Sequence, residues 1–493
     1  MKDVIEVEVA VVGGGPTGLM LACELALAGI RVTVFERRAE PVRQSRALTL
    51  HPRSLEVLAL RGLAPRFLER GRPIPTGHFA MLDTRLDFSV LDTSFPFTLY
   101  LPQLDTEQLL EARARELGVD VRRGHEVEAL RQDSEGVSLE GTAAGAAFRC
   151  EARYVVGADG ARSRVRQLAG IRFVGTDTTL TAMLGDVVLG EPPATPAHSV
   201  NNARGGVMLV PLGPSLHRVV IFDPARARVP LQEAVTLEEL KQSSVNIAGT
   251  DFGMREPRWL SRFGNETRLA ERYRVERVLL AGDAAHIHFP AGGQGLNVGL
   301  QDAMNLGWKL AGVLRGHAPA TLLDSYHQER APVGEALLRN TEAQTALMPH
   351  DASVMALRDL LSDLLKSPAL NRPLADRLAG FDGAYPALDL PAPPHEGEPL
   401  KALTGRRLPD LALTLRDGSV RRLYSLLHDG KWLWLRLREG GRTPEWGRWT
   451  HVVEARRLEE REELVPVGDM LIRPDGHVGW AWAPPSRARA GMA

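Results

Sequence analysis

The first 36 residues read as a strand, a glycine-rich turn, a helix and a second strand. "VEVAVVG" predicts a buried strand, "PTGLMLACELALAGI" predicts a helix that ends at Gly29, and "RVTVFE" predicts the next strand. Between the first strand and the helix, Gly13, Gly15 and Gly18 fit the G-x-G-x-x-G pattern. In that pattern the first glycine allows a tight turn, the second lets the backbone approach a pyrophosphate, and the third lets helix pack on strand. This unit predicts a Rossmann-like dinucleotide-binding domain.

The residues around the glycines support the same site. Pro16 and Thr17 begin the helix, whose free N–H groups and dipole suit phosphate. Glu36 ends the second strand, where a carboxylate can accept a hydrogen bond from a ribose 2′-hydroxyl. A carboxylate there repels a 2′-phosphate, so FAD or NAD is favoured over NADP. Arg37, the next residue, weakens that preference only slightly. A tight structural turn is the alternative.

A second glycine-rich segment, "GDAAHIHFPAGGQGLNVGLQDA", begins at Gly282 after the predicted strand in "YRVERVLLAGD". Asp283 is suited to a ribityl hydroxyl, and the helix that begins near Leu296 can direct its dipole at the N1–C2=O edge of an isoalloxazine. The other candidate cofactor contacts in this segment are Pro290, Gly293, Gly295 and Asn297. His286 and His288 are two residues apart without an acidic or cysteine partner, so we expect no metal site.

A third motif, "VVGADGARSRVR", follows another predicted buried strand. Asp159 is a short hydrogen-bond acceptor at the turn, and the residues after it favour a helix. Two interpretations stay open for Asp159: a contact to the cofactor, or a cap on that helix.

Length and pattern predict three units in an α/β protein of 493 residues. We expect the dinucleotide domain in residues 1–75, 101–172 and 264–385. The run "GGVMLVPLGPSLHRVVIFD" favours antiparallel strands, so residues 76–100 and 173–263 are expected to form a substrate domain. The proline-rich residues 386–400 are typical of a linker. Residues 401–493 then form a third domain, with a hairpin predicted in "DMLIRPDGHVGW".

Composition and net charge argue against several kinds of site and partner. The two cysteines, Cys23 and Cys150, are in no metal-ligand spacing and favour a reducing compartment. A net charge of −1 gives no reason to expect nucleic acid or an anionic membrane as partner. Neither a signal peptide nor a membrane span is predicted, so the expected location is the cytoplasm.

Together the three motifs resemble those of the class A FAD-dependent aromatic hydroxylases, typified by para-hydroxybenzoate hydroxylase, over residues 5–345. The resemblance implies FAD as cofactor, NADPH or NADH as transient electron donor, and O2 as co-substrate. It also implies that a flavin C4a-hydroperoxide transfers one oxygen atom to an aromatic substrate. The single dinucleotide fingerprint agrees with a nicotinamide that binds without a domain of its own.

The segment "QSRALTLHPRSLEVL" resembles that of bacterial polyketide hydroxylases and rifampicin monooxygenases. The resemblance implies that Arg46 reaches the flavin and that Gln103 contacts the cofactor; a surface arginine and a helix-start glutamine are the alternatives. It also implies a thioredoxin-like fold for the third domain, here without Cys-x-x-Cys. A monomer or a homodimer is expected.

The substrate pocket is expected to be dry, because water promotes loss of the peroxide. Its candidate lining residues are Phe79, Met183, Met208, Val210 and Phe222, and for each of them a place in the hydrophobic core is the alternative. His51, His78 and His217 lie in plausible segments, but no proton-transfer residue is assigned. The predicted function is hydroxylation of a polycyclic, polyketide-type aromatic. The alternatives are an antibiotic-inactivating monooxygenase of rifamycin or tetracycline type, oxygen insertion beside a ring ketone, a flavin reductase or dehydrogenase, and a protein that holds FAD only structurally.

Overall fold

The computed structural model describes residues 4–42, 44–194, 198–213, 215–349, 351–437, 450–459 and 461–484. Its α-helices are α1 (Pro16–Leu27), α2 (Pro52–Ala59), α3 (Ala64–Leu68), α4 (Gln103–Glu116), α5 (Arg164–Leu168), α6 (Leu237–Ala248), α7 (Gly295–Leu314), α8 (Asp324–Thr345), α9 (Ala352–Leu364) and α10 (Pro368–Ala379).

The strands up to residue 222 are β1 (Val4–Val12), β2 (Val32–Glu36), β3 (Thr49–Leu50), β4 (Arg72–Ile74), β5 (Thr76–Gly77), β6 (Leu86–Asp87), β7 (Thr98–Tyr100), β8 (Asp120–Arg123), β9 (His125–Gln132), β10 (Val137–Ala143), β11 (Ala146–Gly157), β12 (Phe173–Thr176), β13 (Thr181–Leu189), β14 (His198–Asn202), β15 (Gly205–Pro211) and β16 (Leu216–Phe222). The later strands are β17 (Met254–Gly264), β18 (Thr267–Ala270), β19 (Arg274–Val275), β20 (Val278–Leu280), β21 (His286–Ile287), β22 (Ala412–Leu415), β23 (Val420–Arg422), β24 (Trp432–Arg436), β25 (Thr450–Leu458), β26 (Asp469–Ile472) and β27 (Val478–Trp482).

The largest sheet has the order β19-β20-β11-β1-β2-β8, with β9 and β10 joined through β11. Strand β1 is parallel to both β2 and β11, and β20 is parallel to β11. The predicted strand–helix–strand unit is therefore confirmed. Helix α1 has a proline in its first turn, ends just before Gly29 and is buried between the sheet and its neighbours α4 and α7. The three motifs of the sequence analysis, at Gly13, Asp159 and Gly282, directly follow β1, β11 and β20. Because these strands are parallel, the three motifs lie at the same edge of the sheet.

A second sheet has the order β14-β15-β16-β13-β17 and is antiparallel throughout, as predicted. One face carries a core that includes Val187, Val207, Leu209 and Ile221, covered by Leu240 of α6. The other face, which we call the inner face, turns toward the first domain. Because side chains alternate along a strand, each residue's parity decides which face it occupies.

The helix predicted to begin near Leu296 is α7, and two further helices, α8 and α9, follow it. Gly316, with φ of +70°, and Pro319 lie between α7 and α8. Residues 386–400 contain no helix or extended strand, in agreement with their composition. They are nevertheless packed, since the ring of His395 stacks on Trp482 with centroids 4.4 Å apart.

The third unit is a sheet of order β23-β22-β25-β24-β26-β27, in which β24 and β25 are parallel. The predicted hairpin is confirmed: β26 and β27 are antiparallel and Gly476, with φ of +78°, lies in their turn. The predicted end of this domain, residues 485–493, lies outside the described residues.

The β26–β27 turn inserts charged side chains into the first domain. Arg473 donates to both carboxylate oxygens of Glu329 at 2.9 and 2.8 Å, and Lys309 donates to the same carboxylate at 2.8 Å. Asp475 accepts from Arg473 at 2.6 Å and from the Trp308 indole at 2.9 Å. This buried charge cluster fixes the third unit against α7 and α8.

Candidate cofactor site and active site

The three glycines after β1 differ in what surrounds them. A methyl group at Gly13 would lie 2.3 Å from the carbonyl oxygen of Ala158, and one at Gly18 would lie 2.0 Å from that of Gly13. A methyl group at Gly15 would meet no protein atom within 4 Å. Gly13 and Gly18 are thus required by protein packing, whereas Gly15 leaves open space above the turn, where a phosphate can approach the backbone.

Glu36 lies beside this turn and is nearly fully buried. One carboxylate oxygen accepts the N–H of Gly14 at 2.8 Å and the other accepts the N–H of Arg38 at 3.0 Å. These bonds hold the carboxylate in place, and each oxygen keeps a lone pair for a ribose hydroxyl. Arg37 is exposed.

The two glycine-rich segments of the sequence meet at Thr17. A methyl group at Gly282 would lie 2.7 Å from the Thr17 hydroxyl oxygen, and one at Gly299 would lie 2.3 Å from it. The start of α1, the end of β20 and the first turns of α7 thus pack directly against one another. Gly282 and Gly299 are needed because a larger side chain at either position would overlap Thr17. Pro16 precedes Thr17 at the open end of α1.

The segment after β20 is anchored by a buried acid that the sequence analysis did not identify. Asp302 of α7 accepts the N–H of Gly282 at 3.0 Å, His286 Nε2 at 2.7 Å and Arg330 Nε at 2.7 Å. Asp283 itself is exposed in the short 3₁₀ turn that follows.

The start of α7 is shaped by backbone that favours glycine. Gly292 and Gly293 have φ of +70° and +65°, and a methyl group at Gly293 would lie 2.6 Å from the Thr49 hydroxyl. The first N–H groups of α7, at Gly295, Leu296 and Asn297, have no partner within the helix and give this end a partial positive charge. Leu296 is half-buried and Pro290 is exposed.

The Asn297 side chain holds this turn together. Its oxygen accepts the N–H of His51 at 2.7 Å, and its nitrogen donates to the carbonyls of Thr49 at 3.1 Å and Gly293 at 2.8 Å. Both amide hydrogens are thereby used by backbone groups. The Asn297 side chain therefore has no hydrogen left to donate to a cofactor.

The segments that contain Arg46 and Gln103 lie side by side. Gln103 accepts the N–H of Ala47 at 3.1 Å through its side chain and donates its own N–H to the Ala47 carbonyl at 2.9 Å. Arg46 is exposed, and its carbonyl accepts from Arg218 at 2.9 Å. Arg218 of β16 is buried and paired with Asp186 of β13 at 2.8 Å. The sequence analysis missed this pair, although two charged residues inside otherwise apolar strands could have indicated it.

Asp159 caps α5. Its carboxylate accepts from the Ser163 hydroxyl, and from the N–H groups of Arg164 at 2.6 Å and Val165 at 3.1 Å. This contact agrees with the capping interpretation. Asp159 nevertheless adjoins the glycine turn, since a methyl group at Gly13 would lie 2.8 Å from its Cα atom.

The inner face of the antiparallel sheet carries three of the predicted pocket residues. Met208, Val210 and Phe222 are half-buried there, on the side from which Arg218 reaches the Arg46 segment. Phe222 contacts Phe289, and the two ring centroids are 6.0 Å apart. Phe289 belongs to residues 282–294, between β20 and α7, which we call the cofactor segment. Phe263, which the sequence analysis missed, lies 5.8 Å from the same ring.

Met183 is a correction. Its register opposite Ile221 places it on the other face, buried in the core under α6. The sequence predicts an apolar strand here, but it does not show whether the odd-numbered or the even-numbered residues of that strand lie on the inner face.

Phe79 is half-buried beside a strained backbone segment. Ala80 and Met81 have φ of +49° and +54°, which costs of order 1–3 kcal/mol per non-glycine residue. Arg358 of α9 stabilises them by donating to both of their carbonyls at 2.9 and 3.0 Å. Gln344 accepts the Ala80 N–H at 2.9 Å. Such strain is typical of functional segments.

The site fits a flavin dinucleotide. Open space lies above Gly15, the fixed carboxylate of Glu36 lies beside that turn, Asp283 is exposed, and α7 offers free N–H groups. Within the described ranges, no group of three or more His, Cys, Asp or Glu side chains could hold a metal ion.

Two family models match the sequence. The FAD binding domain model covers residues 6–341, and the model of the aromatic-ring hydroxylase C-terminal domain covers residues 401–493. The chain belongs to the FAD-dependent aromatic-ring hydroxylases. It is an FAD-dependent monooxygenase, and reduction of the cofactor by NAD(P)H is general for this family.

Several relatives of this hydroxylase are similar over nearly their whole length. An uncharacterized aromatic compound monooxygenase of Bacillus subtilis is 52% identical over 475 residues, which are 96% of this chain and 94% of that one. A rifampicin monooxygenase of Streptomyces venezuelae is 46% identical over 482 residues, 96% and 95% of the two chains. Among solved structures, the OxyS anhydrotetracycline hydroxylase from Streptomyces rimosus is 42% identical with a TM-score of 0.88, covering 98% of this chain and 97% of that chain. None of the helices described here is both long and apolar enough to cross a membrane.

Proposed function

We propose that this enzyme hydroxylates a polycyclic, polyketide-type aromatic that lies between the inner face of the antiparallel sheet and the segment that precedes α7. The observation that carries the proposal is the aromatic part of the inner face, where Phe222 and Phe263 meet Phe289 of the cofactor segment. Flat aromatic rings pack well against such a surface, and apolar walls keep water away from the reaction.

The bound flavin would supply the oxygen chemistry: one atom of O2 enters the substrate and the other leaves as water, while NAD(P)H provides two electrons and one proton and solvent provides the second proton. This chain's residues bind and orient. The N–H groups at the start of α7 stabilise negative charge, and Arg218 holds the Arg46 segment between sheet and cofactor. The proposed cofactor contacts are those predicted from sequence, with Asn297 acting through its main chain.

The names of the relatives support this substrate class, since they include monooxygenases of anhydrotetracycline and rifampicin. Inactivation of a rifamycin or tetracycline, and oxygen insertion beside a ring ketone, are the alternatives that the same site can accommodate.

We further propose the predicted domain limits and a thioredoxin-like fold for residues 401–493, supported by parallel β24 and β25 beside antiparallel β26 and β27. No cysteine occurs beyond Cys150, so this unit has no dithiol chemistry. A cytoplasmic monomer or homodimer without nucleic-acid partners is the proposed working state; both cysteines are free and buried.

The test is product analysis with anhydrotetracycline and rifampicin, comparing the wild type with Phe222→Leu and Met183→Leu. We expect hydroxylated product, and a raised KM and more hydrogen peroxide per NADPH for Phe222→Leu. Met183→Leu is the matched control, because it changes a side chain of similar size on the opposite face. Equal effects of the two substitutions would refute the inner-face pocket. A product from rifampicin alone would favour the antibiotic-inactivating alternative.

A further inference from the structure

His51 is a buried histidine to which the site described above gives no role. Its side chain lies just before α2 and the residue is 3% exposed. Among the residues that the structure describes, neither ring nitrogen has a well-aligned hydrogen bond, although the backbone of Gly292 and Gly293 lies close to the ring. A neutral imidazole has one donor and one acceptor, and leaving such groups buried without partners costs about 1–3 kcal/mol each. Such a ring is available to interact with a ligand or with a charge that forms nearby.

The ring lies against the segment that leads into α7. A methyl group at Gly293 would lie 3.8 Å from His51 Nε2. The main-chain N–H of His51 donates to the side chain of Asn297 in the first turn of α7 at 2.7 Å. His51 is therefore held beside the positive end of α7, where the negative charge of a reduced flavin would be stabilised.

The surroundings keep this imidazole neutral. Burial lowers the pKa of His51 to about 4, nearby His78 adds to the effect, and the backbone of Gly292 and Gly293 opposes it. His78 has a pKa of about 4 as well, because of burial and Arg85. On the remaining side lies the apolar ring of Phe88, with centroids 6.5 Å apart. Because the ring is buried away from water, a new negative charge close by would act strongly on its proton affinity.

We propose that His51 takes up one proton from solvent when the bound flavin is reduced. Hydride transfer from NAD(P)H delivers two electrons and one proton, so the neutral oxidised flavin gains one negative charge. The proton that arrives at His51 balances this charge and involves no further oxidant or reductant. The inference depends on FAD, which the family uses, and on no particular substrate.

The experiment is the midpoint potential of the bound flavin as a function of pH, measured on the holoenzyme between about pH 6 and 8, the range in which histidine charge is readily shifted. Each proton taken up with a two-electron reduction contributes about 30 mV per pH unit, the equivalent of a tenfold change in equilibrium constant. The wild type should show a slope of two protons, about 60 mV per pH unit. His51→Gln should show half that slope, and His51→Asn serves if the first variant folds poorly.

The control is His217→Gln. His217 of β16 is also a buried histidine, but its Nδ1 lies 3.2 Å from the Ser215 carbonyl oxygen, outside the cofactor segment. The control should keep the wild-type slope. The absorption spectrum of the reduced enzyme distinguishes a reduced flavin that is protonated at N1 from its anion. In the wild type we expect the spectrum of the anionic reduced flavin.

Equal slopes for the wild type and His51→Gln would overturn the proposal, as would a shallow slope in His217→Gln. A neutral reduced-flavin spectrum in the region of steep slope would also overturn it, because the proton would then lie on the flavin. Failure to hydroxylate any aromatic would refute the proposed function and leave this inference standing.

Discussion

Replacing Glu329 by glutamine should destabilise the enzyme strongly, although the two side chains have nearly the same shape. Glu329 is fully buried, and its carboxylate accepts from Arg473, Lys309 and the Asn305 amide. Burial alone would raise its pKa, but Arg473 and Lys309 outweigh burial and hold the pKa at about 2. The variant leaves these two cations with Asp475 as the remaining anion of the cluster.

The magnitude follows from this pKa. The carboxyl group shifts from its ordinary 4.5 to about 2, which corresponds to a stabilisation of about 3 kcal/mol. Direct loss of one partner from a buried ion pair costs about 3–5 kcal/mol. Because the pKa of the folded state is depressed, the contribution of Glu329 is complete above about pH 4.5 and is lost as the pH falls toward 2.

Urea unfolding followed by tryptophan fluorescence is the appropriate assay, because the Trp308 indole donates to Asp475 within the cluster. Glu271→Gln is the matched control: Glu271 pairs with Arg172, but both side chains are largely exposed, 45% and 73%. We expect the control to change the free energy of unfolding far less than Glu329→Gln does, because water and salt screen an exposed ion pair.

A second variant separates charge from packing. Burial, with Arg473 adding to the effect, lowers the pKa of Lys309 to about 7, so its ammonium is the more weakly held cation. Adding Lys309→Met to Glu329→Gln restores the charge balance and should recover at least about 1 kcal/mol. A Glu329→Gln enzyme as stable as the Glu271→Gln control, or a double variant less stable than the single one, would refute this reasoning.

Three further predictions concern the cofactor site. Gly15→Ala should leave the melting temperature of the apoprotein unchanged but weaken FAD binding at least about tenfold, since its methyl group meets no protein atom and enters the phosphate space; normal FAD affinity would contradict this. Gly18→Ala should destabilise the apoprotein itself, which thermal unfolding without FAD would detect, because its methyl group would overlap the Gly13 carbonyl. Asn297→Ala should raise the Kd for FAD at least about tenfold in a fluorescence titration, because three backbone groups lose their hydrogen bonds to this side chain. The control Asn246→Ala, at an exposed position, should leave the Kd unchanged. Equal Kd values for the two variants would contradict the role of the Asn297 side chain in holding the turn before α7.

Sequence reasoning succeeded where the physical cause is local. The turn after β1 needs glycine because of contacts within a few residues and with the neighbouring strand, so the pattern itself indicates the structure. Glu36 could be placed for the same reason, since it ends the adjacent parallel strand. Gln103 and Arg46 were placed by resemblance, and the structure brings their segments together.

It was incomplete where long-range pairing decides the outcome. The wrong face for Met183 came from strand parity, which depends on how β13 pairs with β16. Asn297 was expected at the cofactor, but its side chain is used by Thr49 and His51, which lie about 250 residues earlier. The contact of Arg473 with Glu329 spans 144 residues and follows only from the way the third unit docks.

The measurement that tests the central claim most directly is a single turnover with isotopically heavy O2. The enzyme is reduced by NADPH without oxygen, in the presence of anhydrotetracycline, and heavy O2 is then admitted while the product is analysed by mass spectrometry. The account predicts a product that gains one heavy oxygen atom, and less of it from the Phe222→Leu enzyme. Oxidation of the flavin that yields only hydrogen peroxide, with anhydrotetracycline and with rifampicin alike, would contradict it.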